Sequence, residues 1–172
     1  MSVGTHRTAA ALLGAALLLL TAAPSAVAAD FPVPPAVGVL KNLHSGKCLE
    51  VADWSSDNGA PVRQWDCTGG ANQRLDFASS GRGLAINVHS GKCLEIADWR
   101  TDNGAPVRQW DCTGGANQRW HWNRLNGMGE SWMVLSVLND RAVEIGGWRT
   151  DNGAPASMWD GYAHANQSWW AY

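Results

Sequence analysis

Residues 45–74 read S-G-K-C-L-E-V-A-D-W-S-S-D-N-G-A-P-V-R-Q-W-D-C-T-G-G-A-N-Q-R, and residues 90–119 repeat this stretch almost letter for letter. The second copy begins 45 residues after the first. A third, more divergent copy, R-A-V-E-I-G-G-W-R-T-D-N-G-A-P-A-S-M-W-D-G-Y-A-H-A-N-Q-S-W, occupies residues 141–169. Self-similarity at a period of roughly 20 to 50 residues indicates a repeat architecture, in which each copy forms one structural unit.

Each copy predicts short β-strands separated by turns. In the first copy the predicted strands are residues 39–44, 47–52, 60–67 and 73–77, divided by turn sequences rich in Gly, Asn and Asp. Four strands in each of three copies make twelve. Apolar residues show no helical spacing, and three propeller blades are too few to surround a channel. An all-β fold, the closed β-trefoil, fits best because closure leaves no open sheet edge. The expected repeats are residues 38–82, 83–128 and 129–172.

The first 29 residues have the form of a secretory signal peptide. A short polar region precedes an apolar stretch at residues 9–20, and the A-V-A sequence at residues 26–28 is typical of a cleavage site. We therefore expect residues 1–29 to be removed and the protein to be secreted, without insertion into a membrane. Residues 30–37, D-F-P-V-P-P-A-V, are expected to form a proline-rich arm before the trefoil.

The composition excludes several classes of protein. The chain of 172 residues carries 13 Lys and Arg against 15 Asp and Glu, a formal net charge of −2. This balance argues against nucleic acid or an anionic membrane as partner. Charged residues are only 16%, which is untypical of a coiled coil or helical bundle. Eleven Trp against two Phe and two Tyr indicate that indoles serve a purpose beyond filling a core.

The four cysteines fall in pairs within the first two copies. The third copy has Ala142 and Gly161 at the equivalent positions, so both cysteines are lost together. Joint loss is what bonded partners show, and it favours pairing within each copy over the two other connectivities. Export into an oxidising space permits disulfides. No C-x₂-C spacing occurs, so a zinc site is disfavoured and no metal or cofactor is expected. The favoured bridges are Cys48–Cys67 and Cys93–Cys112.

The cysteine pairing predicts a strand register. If Cys48 and Cys67 face each other across an antiparallel pair, Glu50 lies opposite Trp65. Arg63 is then diagonal to Glu50 and opposite Ala52, on the same face as the disulfide. The apolar residues of the other face, directed into the barrel, are Leu49, Val51 and Val62.

An indole, a carboxylate and a guanidinium on one face are suited to sugar recognition. The apolar face of a pyranose stacks on an indole, and its hydroxyls need a few fixed polar partners. A simple exposed ion pair, worth less than about 1 kcal/mol, is the alternative explanation of the Glu–Arg pairing. Gln73 is expected chiefly to brace the backbone. Trp54 lies in a turn-rich connection, where it either covers the hairpin or widens the ligand cleft.

The repeated motif C-L-E-V…V-R-Q-W-D-C…A-N-Q-R-L resembles the Q-x-W repeats of ricin-B-type lectins over residues 38–172. The resemblance implies a β-trefoil that binds carbohydrate, often galactose- or xylose-type sugars, in up to three shallow sites. It also implies which positions form those sites. In the first repeat they are Glu50, Arg63, Trp65, Asn72 and Gln73, and in the second Glu95, Arg108, Trp110, Asn117 and Gln118.

Two departures from the family pattern change the expected ligand. Glu50 stands where the family has Asp, and Arg63 where it has Gln, and the second repeat shares both changes. The guanidinium fork matches a carboxylate, so these repeats are predicted to accept an acidic sugar. In the third repeat, Gly147 stands at the position of Asp53 and Asp98. Ser157 stands at the position of Arg63 and Arg108. Both changes predict a weak or inactive site.

Binding without catalysis is the function that these patterns favour. Neither a G-x-S-x-G nor an H-E-x-x-H motif occurs. The acidic residues recur with the repeat, whereas a glycosidase needs one pair of carboxylates across one bond. The expected partner is a glycan or polysaccharide, including glycans carried by a glycoprotein. The alternative is a protein-binding trefoil such as a protease inhibitor or docking module.

Overall fold

A computed structural model of the chain describes residues 35–77 and 83–172, together with Met1 and Gly4. The expected signal peptide, apart from those two residues, and most of the proline-rich arm lie outside the described residues. Val37, the last residue of that arm, is already the first residue of a strand. In the described part of the chain, no helix is long and apolar enough to cross a membrane.

The described residues form twelve β-strands, four in each repeat, and short 3₁₀ turns follow several of them. The strands of the second repeat follow those of the first at the positions that the sequence period predicts. The first repeat contributes β1 (Val37–Asn42), β2 (Cys48–Val51), β3 (Val62–Trp65) and β4 (Arg74–Asp76), the second β5 (Ile86–Asn87), β6 (Cys93–Ile96), β7 (Ala105–Trp110) and β8 (Trp120–Leu125), and the third β9 (Ser131–Ser136), β10 (Ala142–Ile145), β11 (Ala156–Trp159) and β12 (Trp169–Ala171).

Six of the strands close into a barrel. β1 pairs with both β4 and β12, β4 with β5, β8 with β9, and β9 with β12, all antiparallel. A bridge between Leu84 and Arg119 joins the starts of β5 and β8 and completes the ring. The hairpins β2–β3, β6–β7 and β10–β11 lie at one end, where β7 also pairs with β11. This architecture is a β-trefoil, as the sequence predicted.

Apolar residues from all three repeats share one core. Leu49, Val51 and Val62 are buried, which confirms the face assigned to them. Trp120 and Trp169 are buried as well, and each indole N–H donates to a backbone carbonyl. A buried indole needs such a partner, because an unpaired N–H in the core is costly.

The disulfides join Cys48 to Cys67 and Cys93 to Cys112, which confirms the pairing within each repeat. The predicted register is wrong by two residues. Cys48 lies opposite Trp65, and Glu50 lies directly opposite Arg63 rather than opposite Trp65. The predicted pairing of Ala52 with Arg63 is therefore wrong as well.

The register error has a geometric cause. Cys67 lies two residues beyond the end of β3, so the bridge runs from β2 to the loop after the strand and not straight across the pair. A shift of two residues keeps every side chain on its predicted face, because side chains alternate with a period of two. The second repeat shows the same change, with Glu95 opposite Arg108 and not opposite Trp110.

Candidate functional site

A left-handed turn after the first hairpin strand shapes the candidate site of each repeat. Asp53 and Trp54 have φ angles of 55° and 53°, and Asp98 and Trp99 repeat this conformation at 54°. A residue other than glycine held in this region costs on the order of 1–3 kcal/mol, and such strain concentrates at functional sites. The turn leaves the Trp54 indole about half exposed, at 50%.

Arg63 connects the parts of the first-repeat site. Its Nε donates to Glu50 Oε1 at 3.0 Å, and its Nη2 donates to Asp53 Oδ1 at 2.9 Å. The guanidinium also lies over the Trp65 ring, 4.4 Å from the ring centre. The Glu50 side chain is only 5% exposed, so its pair with Arg63 is largely buried and is not the simple surface ion pair considered above.

Arg108 makes the same contacts in the second repeat, with Glu95 at 2.9 Å and Asp98 at 3.0 Å. Its guanidinium carbon lies 4.6 Å from the centre of the Trp110 ring. Burial acts to lower the pKa of Arg108, but the hydrogen bonds and charges of Glu95 and Asp98 together outweigh it and raise that pKa above its ordinary value. The second-repeat site therefore holds a firmly charged cation.

In each repeat, the side-chain amides of the Asn–Gln pair donate hydrogen bonds to the carboxylate of the site glutamate. Gln73 is fully buried; its Nε2 donates to Glu50 Oε2, and its Oε1 accepts from the backbone N–H groups of Thr68 and Gly69. This contact pattern agrees with the predicted bracing role. Asn72 Nδ2 donates to the same Glu50 oxygen at 3.2 Å. Its Oδ1 is buried without a hydrogen-bond partner, a feature shared with Asn117 and Asn166.

These groups surround a cleft of about 240 Å³ in the first repeat. Four of the five predicted site residues line it, while Gln73 lies beneath them. The sequence left the place of Trp54 open, and the structure puts it in the cleft wall. Asp53 was not among the five predicted binding residues, although the loss of its equivalent at Gly147 was already a reason to predict a weak third site. The lining residues are Glu50, Asp53, Trp54, Arg63, Trp65, Thr68 and Asn72.

A larger cleft of about 350 Å³ lies in the third repeat, which the sequence predicted to be weak. Burial raises the pKa of the Glu144 carboxyl at its base, while hydrogen bonds from Gln167, Asn166 and Ser157 and the nearby His164 offset part of that rise. None of its residues was among the ten predicted binding residues, because the third-repeat site was predicted to be weak or inactive. Its lining residues are Glu144, Gly147, Trp148, Trp159, Tyr162, His164, Asn166 and Gln167.

The clefts combine exposed indoles, a buried carboxylate and a buried amide oxygen. Such a surface can hold a ring that has an apolar face and several hydroxyls. Across residues 35–77 and 83–172, no group of three or more His, Cys, Asp or Glu side chains is placed to hold a metal ion. Fold and clefts together define a β-trefoil of the lectin class. The family model of the ricin-type beta-trefoil lectin domain matches residues 36–169. The chain therefore belongs to that family.

Several known proteins resemble part of this chain. A designed three-fold symmetric protein, ThreeFoil, is 29% identical with a TM-score of 0.75, over 80% of this chain and 98% of that one. The exo-beta-1,3-galactanase 1,3Gal43A of Clostridium thermocellum is 28% identical with a TM-score of 0.73, over 79% of this chain and 30% of that one. Serine protease 1 of Rarobacter faecitabidus is 46% identical over 37 residues, which are 22% of this chain and 7% of the protease. The chain thus matches only a small part of these two enzymes.

Proposed function

We propose that the protein is an exported carbohydrate-binding protein that binds glycans in the clefts of its repeats without transforming them. Membership of the lectin family supports this function. The observation that carries it is the first-repeat cleft, in which Trp54 is half exposed, the Glu50 carboxylate is fixed, and Asn72 Oδ1 lacks a partner. The signal-like sequence of the first 29 residues supports export.

The first and second repeats are proposed as sites for acidic glycans. Arg63 holds two carboxylates, and they differ in exposure: Glu50 is 5% exposed, whereas Asp53 is 80% exposed. An exposed ion pair contributes less than about 1 kcal/mol, so Asp53 is the partner that a ligand can replace. The carboxylate of a uronic or sialic sugar would take its place on Arg63, while the sugar ring contacts Trp54.

The carboxylates of the first-repeat cleft are poorly arranged for hydrolysis. A glycosidase needs one carboxyl group as acid and a second as base or nucleophile, on opposite sides of the bond. Glu50 and Asp53 both bond the guanidinium of Arg63, so the two carboxylates lie on one side of the cleft and not on opposite sides of a bound glycosidic bond. A binding role therefore suits the cleft better than an acid–base role.

A glycan array probed with the secreted chain tests this function. We expect acidic glycans to bind, and binding to weaken at high salt because added salt shortens the Debye length from about 8 Å at physiological ionic strength to about 3 Å at 1 M. Replacing Trp65 and Trp110 by Ala removes the surface on which each arginine lies and should abolish this binding. Trp159→Ala is the matched control and should leave acidic glycans bound. Binding to no glycan, together with inhibition of a protease panel, would overturn the proposal in favour of a protein-binding trefoil.

A further inference from the structure

The residue opposite the site glutamate differs between the third repeat and the other two. In the first repeat, the Arg63 guanidinium lies 4.4 Å from the centre of the Trp65 ring and bonds Glu50. Arg108 does the same in the second repeat. An uncharged sugar ring would have to displace a paired cation before stacking on either indole. In the third repeat Ser157 stands at this position, directly opposite Glu144.

The serine changes what surrounds the carboxylate and the indole. Glu144 keeps the amide bonds that the other repeats also have, from Asn166 at 3.2 Å and Gln167 at 3.4 Å, but no arginine lies opposite it. The side chain of Ser157 is too short to lie over the Trp159 ring in the way that Arg63 lies over the Trp65 ring. The face of that indole is therefore available to a ligand that brings no charge.

A second substitution moves the wall of the third-repeat cleft. In the first repeat, a Cβ added to Gly70 would lie 2.7 Å from Cζ2 of Trp54, so that indole packs onto a glycine. His164 occupies the equivalent position in the third repeat, and its Cβ keeps Trp148 from approaching as closely. The rings of Trp148 and His164 are instead 5.7 Å apart, and Tyr162 lies 5.6 Å from His164. The cleft is accordingly larger, at about 350 Å³ against about 240 Å³.

The chemistry of this cleft favours an uncharged ligand. Its aromatic rings suit the C–H face of a pyranose. Its fixed acceptors, Glu144 and the unpartnered Asn166 Oδ1, suit hydroxyl donors. A sugar carboxylate would instead meet the Glu144 carboxylate, and two like charges at close range repel each other.

We propose that the residue at positions 63, 108 and 157 divides the clefts into two ligand classes. The third-repeat cleft binds an uncharged sugar ring against Trp148 and Trp159, whereas the arginine-lined cleft of the first repeat and the equivalent site of the second bind acidic glycans. This inference rests on the proposed carbohydrate-binding function and makes Ser157 a specificity-determining residue. It replaces the expectation that the third repeat is weak.

Exchanging the residues at these positions tests the inference. The secreted chain, the S157R variant and the R63S/R108S double variant are compared on one array that carries neutral and acidic glycans. S157R should lower the affinity for neutral glycans by about tenfold or more, because it places a cation over Trp159, and should leave acidic glycans bound. R63S/R108S should lose acidic glycans and keep neutral ones. Unfolding temperatures establish that each variant is folded.

A second variant covers the case in which S157R does not fold. His164→Gly restores the glycine of the other repeats, lets Trp148 close onto the loop, and should also weaken neutral binding. Neutral binding that survives both changes, or a wild-type chain that binds only acidic glycans, would overturn the inference and leave the proposed function intact. A wild-type chain that binds no glycan would overturn both.

Discussion

Gln64 illustrates how a single buried polar residue joins neighbouring repeats. It is fully buried; its Oε1 accepts from Ser45 at 2.6 Å, and its Nε2 donates to the carbonyl oxygens of Arg149 and Asp151. The amide nitrogen thus binds a turn of the third repeat, and the amide oxygen binds the loop before β2 in the first repeat. The third repeat has Met158 at this position, and its side chain is buried in the apolar core and makes no such hydrogen bonds. Such long-range partners have no local signal in the sequence.

The buried carboxyl of Glu144 should make the stability of the protein depend on pH. Its ordinary pKa of 4.5 is raised by burial, so the folded protein holds this proton to a higher pH than the unfolded chain does. Its contribution to stability is therefore greatest below the ordinary pKa and falls as pH rises through the raised value. A glutamine side chain does not ionise. The stability of the Glu144→Gln variant relative to the wild type should therefore increase as the pH rises from about 4 to about 7.

Thermal unfolding of both proteins at the two pH values measures this difference. Glu95→Gln is the matched control, because Glu95 has an arginine partner where Glu144 has Ser157. That change should destabilise the protein at pH 7, since it leaves Arg108 without its buried partner. If Glu144→Gln shifts the unfolding temperature equally at both pH values, burial of an ionising carboxyl is the wrong explanation.

Among the secondary-structure elements, the sequence predicted the strands and which face of a strand each side chain occupies. It did not predict the register of the strand pairs or the contacts between side chains. Period-two alternation assigned Leu49 to the core and Arg63 to the cleft face correctly. The assumed alignment of Cys48 with Cys67 failed because the bridge reaches past the end of β3. The stacking of Arg63 on Trp65 depends on side-chain torsions, and the width of the third-repeat cleft depends on whether a Cβ is present at position 164. Neither is expressed in residue spacing.

The third hairpin retains the geometry of a disulfide although it lacks the cysteines. A Cβ placed on Gly161 lies 3.9 Å from the Cβ of Ala142, close to the roughly 3.8 Å typical of a disulfide. The double variant Ala142→Cys with Gly161→Cys should therefore form a third bridge. By the loop-closure argument it should stabilise the protein by up to about 3 kcal/mol.

Thiol titration and denaturant unfolding, with and without reductant, measure both effects. The single variant Gly161→Cys is the control, since it adds the side chain without the bond. Two free thiols in the double variant after mild oxidation, or no gain in stability on oxidation, would show that the third hairpin differs in geometry from the first two.

At the scale of the molecule, the barrel makes the three repeats depend on one another. β12 hydrogen-bonds to β1 of the first repeat as well as to β9 of its own repeat. β4 pairs with β5, and β7 pairs with β11, so every repeat shares strand pairs with both others. Unfolding is therefore expected to be a single cooperative transition, and the clefts should be gained and lost together.

Removal of residues 169–172 tests this dependence. The deletion removes β12, whose Trp169 is fully buried, and opens the barrel at its joint with β1. Loss of a buried Trp alone costs about 3–5 kcal/mol, and the lost strand pairs add to this, against a typical total stability of about 5–15 kcal/mol. The truncated chain should lack a cooperative transition by circular dichroism and lose glycan binding in the first repeat as well as in the third. Trp170→Ala, an exposed change on the same strand, should keep both properties. A truncated chain that still unfolds cooperatively and still binds acidic glycans would show that the first two repeats fold without the third.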